Sequence, residues 1–114
     1  MNGKSFRALA LQLPEAEESE HQGHPDFRVG DKVFATLGPD EDWAMAKLTP
    51  PEQAVLIEQD SDAYEPCPGA WGARGYTRIE LKAAKKALVV RALKSAWRNT
   101  APKRLAKLHE FEGI

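Results

Sequence analysis

Residues 27–48 read FRVGDKVFATLGPDEDWAMAKL, and this stretch decides the fold. Gly30-Asp31 is a two-residue hairpin turn between Phe27-Arg28-Val29 and a run from Lys32 to Leu37. In that run Val33, Ala35 and Leu37 alternate with Phe34 and Thr36, the period of a β-strand. Gly38-Pro39-Asp40-Glu41 makes the next turn. From Asp42 to Leu48, Trp43 and Met45 oppose Ala44, Ala46 and Leu48. Three alternating runs joined by tight turns predict an antiparallel meander, with Trp43 expected in the core.

Helices flank the meander. Upstream, Phe6, Leu9, Ala10 and Leu13 repeat at helical spacing, and Pro14 ends that helix. Glu15 to Pro25 is acidic, holds two histidines and a glycine, and reads as a loop. Downstream, Thr49-Pro50-Pro51-Glu52 is a capping box with proline at the first helical position. The helix it opens offers Val55, Leu56 and Ile57 for packing and should end near Asp60. Ser61 to Gly75 reads as a loop, and Tyr76 to Leu81 as a fourth strand, with Thr77, Ile79 and Leu81 on one face. From Ala83 to Asn99, the positions Lys85, Leu88, Val89, Ala92, Leu93, Ala96 and Trp97 trace one helical stripe. Asn99-Thr100 should break that helix, and Thr100 should cap a last one carrying Leu105, Leu108 and Phe111.

The whole predicts one α+β domain over residues 1–114, an antiparallel sheet packed against helices. Cys67 is the only cysteine, so no internal disulfide can form, which fits a reducing cytoplasm. The N-terminus lacks the apolar run of a signal peptide, and no stretch approaches the ~20 apolar residues of a membrane span. The net charge of −1 hides a division. Residues 1–70 hold 5 Lys/Arg against 14 Asp/Glu, and residues 71–114 hold 11 against 3. A split of −9 and +8 points to an electrostatic surface aimed at nucleic acid or at an acidic partner.

Several blocks along the chain resemble the MmcQ/YjbR family. They are Leu13-Pro14-Glu15-Ala16-Glu17-Glu18, Gly23-His24-Pro25-Asp26-Phe27-Arg28-Val29, Lys32-Val33-Phe34-Ala35-Thr36-Leu37 and Leu48-Thr49-Pro50-Pro51-Glu52-Gln53. Trp71-Gly72-Ala73-Arg74-Gly75-Tyr76-Thr77 and the helix ending Ala96-Trp97-Arg98 complete the set. The resemblance covers roughly residues 5–105 and implies a CyaY/YjbR-like double-wing domain. It also implies a DNA-binding assignment, which rests on likeness to winged-helix arrangements rather than on a base-reading motif. The family supplies no catalytic residues to carry over. Two features depart from its pattern: the last helix extends past the usual core, and Tyr76 stands where many relatives carry tryptophan.

The candidate nucleic-acid contacts are Arg74, Arg78, Arg91, Lys94, Arg98, Lys103, Arg104 and Lys107. Arg91, Lys94 and Arg98 fall opposite the apolar stripe of their helix, Lys103, Arg104 and Lys107 cluster on the next, and Arg74 and Arg78 flank a glycine-rich turn and strand. Such heads can neutralise phosphates and release counterions. Trp71 and Tyr76 beside Arg74 are able to stack bases, although such residues more often anchor loops. The alternative is an interaction module whose basic half docks an acidic protein or the acidic half of another copy. A third idea places a divalent metal at His21, His24 and Asp26 within Glu15–Asp26, an acidic arrangement that frataxin-like relatives of the fold use for iron. The spacing is not a zinc pattern and cysteine partners are lacking, so we assign no metal and no cofactor. Nor do we expect an enzyme. Cys67 lies between prolines with no neighbouring histidine, and Gly69-x-x-Gly72-x-x-Gly75 lacks the strand and helix of a phosphate cradle.

Overall fold

The computed structural model describes residues 1–111, 113 and 114. Its elements are α1 (Gly3–Leu11), β1 (Glu17–His21), β2 (His24–Val29), β3 (Lys32–Leu37), β4 (Trp43–Lys47), α2 (Pro50–Gln59), β5 (Tyr64–Pro66), α3 (Ala70–Ala73), β6 (Tyr76–Glu80), α4 (Lys86–Thr100) and α5 (Lys103–Leu108). The six strands form one antiparallel sheet in the order β1-β2-β3-β4-β6-β5. Among the described residues, no helix is long and apolar enough to cross a membrane.

The predicted meander is present as β2, β3 and β4. Two segments read as loops are ordered instead. Glu17–His21 is a strand because β2 offers it a ladder and Gln22-Gly23, both at positive φ, turn the chain tightly. Its composition hides this, since EESEH has none of the residues that favour strands. Ser61–Gly75 likewise contains β5 and the short α3. At the C-terminus, α4 runs through Thr100 and α5 starts after Pro102 without a side-chain cap. Thr100 therefore ends one helix rather than capping the next. Of the three residues assigned to the last helix, Leu105 is buried, Leu108 is 72% exposed, and Phe111 lies beyond the helix.

One face of the sheet carries the core. Helix α4 lies over β3 and β4, α2 closes the β5–β6 end, and α1 rests against α4. The stripe Val89, Ala92, Leu93, Ala96 and Trp97 is buried against Phe27, Leu37, Ala44, Ala46 and Ile79. Alanines at 44 and 46 let α4 approach closely while the helix supplies the bulk. Trp97 is fully buried, and its indole N–H donates to the Pro14 carbonyl at 2.9 Å, so its one polar atom is satisfied.

Strict alternation fails in β3. Phe27 pairs Ala35, yet Arg28 pairs Val33, so a bulge inserts Phe34. Phe34 and Ala35 are consequently both buried, while Val33 pairs with Arg28 on the opposite face. This reverses the predicted assignment of Val33 and Phe34.

Candidate nucleic-acid interface

Among the described residues, the second face of the sheet bears no long helix. In β4 and β6 the burial alternates, so Trp43, Met45 and Lys47 share this face with their neighbours Tyr76, Arg78 and Glu80. Trp43 is thus not a core residue but a half-buried one. Its indole occupies the space that a side chain at Gly38 would need, meets His24 edge-on at 6.1 Å, and carries the Arg78 guanidinium at 4.6 Å. Alternation separates Trp43 from Ala44 and Ala46 without saying which side a helix covers. The small residues are the signal, since they mark the covered side.

Beside this unit lies a row of four side chains. Lys47 Nζ sits 5.3 Å from the Tyr76 ring centre, Tyr76 stacks on Trp71 at 5.2 Å and 13°, and Arg74 lies 5.2 Å from Trp71. The row reads cation, aromatic, aromatic, cation. Burial holds the Lys47 ammonium below the ordinary lysine range, against the opposing pull of Asp26. Trp71 is 56% exposed, a large apolar side chain left in water.

The loop carrying Trp71 is held rather than loose. Gln53 on α2 donates through Nε2 to the carbonyls of Gly72 and Tyr76 and to Thr77 Oγ1, at 3.2, 3.1 and 3.3 Å. Thr77 Oγ1 in turn donates to the Gly75 carbonyl at 2.8 Å. Gly75 has φ +104°, and a Cβ there would meet the backbone of Leu48 and Thr49, so only glycine suits this position. At Gly72 a Cβ would strike the Cys67 carbonyl. The glycine spacing thus reflects close packing. Burial and the nearby Glu65 push the Cys67 thiol up, opposed by Arg78, the direction that favours the protonated thiol over the thiolate.

The structure divides the eight predicted cations among separate places. Arg74 and Arg78 belong to the open face. Arg78 lies 3.6 Å from Glu65 and 3.7 Å from Glu80, so its charge is largely balanced. Arg91, Lys94 and Arg98 line α4 on the other side of the sheet, where Phe111, Gly113 and Ile114 meet that helix. Arg91 donates to the Gly113 carbonyl, Lys94 lies over the Phe111 ring, and Arg98 donates to the Phe111 carbonyl. Arg98 also pairs with Glu52 at 3.1 Å. Lys103, Arg104 and Lys107 are exposed on α5 with no ion pair among the described residues.

The acidic segment is a hairpin. His21 pairs His24 across it, but both Asp26 oxygens are taken by Arg28 at 2.9 and 3.0 Å. Among the described residues, no group of three His, Cys, Asp or Glu side chains converges as a metal site.

A one-layer antiparallel sheet with its longer helices on one side and an aromatic, partly cationic face on the other defines an α+β protein. The YjbR family model matches residues 11–99, and the chain belongs to that family. Among solved structures it is similar to the Deinococcus radiodurans protein DR2400, which carries a DUF419 domain. The two share 13% identity and a TM-score of 0.73, over 99% of this chain and 91% of the other. At that identity the likeness concerns the fold alone. No curated protein matches the chain.

Proposed function

We propose that this domain binds DNA without catalysis, through phosphate contacts made by the cations of residues 71–114. The observation that carries the reading is the state of those cations. Arg74, Lys103, Arg104 and Lys107 are exposed and lack a carboxylate within 4.0 Å among the described residues, and so do Lys82, Lys85 and Lys86. Arg98 and Arg78 are engaged by Glu52 and by Glu65 and Glu80, so they contribute less. Exposed, unpaired lysine and arginine heads release counterions from phosphates, which makes affinity fall with salt.

The test is a titration of fluorescent duplex DNA at several salt concentrations. Affinity should fall steeply as salt rises. The triple variant Lys103→Glu, Arg104→Glu, Lys107→Glu should flatten the slope of log K against log salt by about one for each phosphate no longer neutralised. Absence of binding at low salt, or affinity indifferent to salt, defeats the reading.

An interaction module using the charge split is the second reading, and the sheet edges limit its form. Every residue of β1 is exposed and three of its five are glutamates, while β5 has three residues and ends in Pro66. Charge and proline at open edges oppose strand-to-strand pairing of copies. Self-association would have to use another surface, and sedimentation at low and high salt reports it.

A further inference from the structure

We propose that the open face of the sheet is a platform for single-stranded DNA, with a base stacking on Trp71, the exposed outer ring of the Trp71–Tyr76 pair, and phosphates held by Arg74 and Lys47. This rests on the DNA-binding reading and names the form of DNA and the place it binds.

Four observations meet at this surface. Trp71 leaves 56% of its area in water although its loop is tied down by Gln53 and by the close approach at Gly72 and Gly75. An exposed, fixed indole is a ready stacking partner, since every base presents a π-face. Trp71 and Tyr76 already stack nearly parallel at 5.2 Å, so a base that takes the place of the Arg74 guanidinium over the Trp71 ring continues an existing pile and frees that cation for a phosphate. Arg74 and Lys47 flank that pile, and neither has a carboxylate within 4.0 Å among the described residues. Finally, Trp43 with Arg78 sits on the neighbouring strand, paired with Glu80 where Lys47 pairs with Tyr76. Lys47 lies four residue steps beyond Trp43, roughly 13 Å along the strand, room for a short run of nucleotides.

The same geometry disfavours the other occupants. A duplex keeps its bases stacked on each other, and the helix that carries Trp71 at this face, α3, has four residues, too short to enter a groove. An acidic peptide would meet the exposed carboxylates of Glu65 and Glu80 on this face and would gain nothing from the aromatic pile. With Arg28 balanced by Asp26 and Arg78 by Glu65 and Glu80, stacking carries more of the binding than charge does.

The experiment compares labelled oligothymidylate of about a dozen nucleotides with duplex of equal length, by fluorescence anisotropy on the full chain at low salt. The single strand should bind at least several-fold tighter, and binding should quench tryptophan emission. Trp71→Ala should weaken the single strand about ten-fold and leave the duplex unchanged, Trp71→Phe should restore most of the loss, and Arg74→Ala should lower both affinity and salt slope. Circular dichroism confirms that the variants fold, as expected for a side chain this exposed. Equal affinity for both forms with Trp71→Ala silent overturns the platform while the DNA-binding reading stands. No binding of either form overturns both.

Discussion

Glu52 joins elements far apart in the chain. Its oxygens accept from the Thr49 backbone at 2.9 Å, Asn99 Nδ2 at 2.8 Å and Arg98 Nη2 at 3.1 Å, at only 9% exposure. Burial raises its pKa, but the hydrogen bonds from Asn99, Thr49 and Arg98 together outweigh that and hold it below the ordinary glutamate range. The unfolded chain therefore binds this proton more tightly than the folded one. The stability Glu52 contributes is complete above the ordinary glutamate range and is lost as pH falls through the lower folded value. Urea unfolding should show Glu52→Ala losing about 2–4 kcal/mol at neutral pH, and Glu52→Gln flattening the acid limb of the stability profile. Arg98→Ala should cost about 1–2 kcal/mol in the same assay and leave the salt slope of DNA binding nearly unchanged. The capping box was readable from Thr49-Pro50-Pro51-Glu52 because it is local. Arg98 and Asn99 were not readable as its partners, because nothing local announces a contact across more than forty positions.

Among the elements, β3 and β1 separate what periodicity can tell from what it cannot. The strand at Lys32–Leu37 was legible, but its phase was not, since a bulge needs knowledge of the partner strand. The phase can be measured. Phe34→Ala should destabilise by about 3–4 kcal/mol, whereas Val33→Ser should cost under about 1 kcal/mol, the reverse of what strict alternation predicts. Strand β1 was invisible because its charges serve the edge rather than a core. Replacing Glu17 and Glu20 with valine should expose a pairing edge, and analytical ultracentrifugation should then find larger species. The α4 stripe was readable almost residue for residue, since a long amphipathic helix states its own buried face.

For the whole molecule, charge divided along the chain does not stay divided in space. Folding lays Glu65 and Glu80 against Arg78 and Glu52 against Arg98. The sequence named Arg74, Trp71 and Tyr76 but could not place Lys47 and Trp43 beside them, because strand order sets that meeting. The three tryptophans end in unlike surroundings: Trp97 sealed and hydrogen-bonded, Trp43 half-covered beneath a guanidinium, Trp71 wet. The chain thereby carries three optical probes of different reach. In variants retaining a single indole, emission from position 97 should stay blue until the cooperative transition and then move red. Emission from position 71 should start red and respond to occupancy of the sheet instead, so ligand uptake and global melting become separately visible in one cuvette without any added dye.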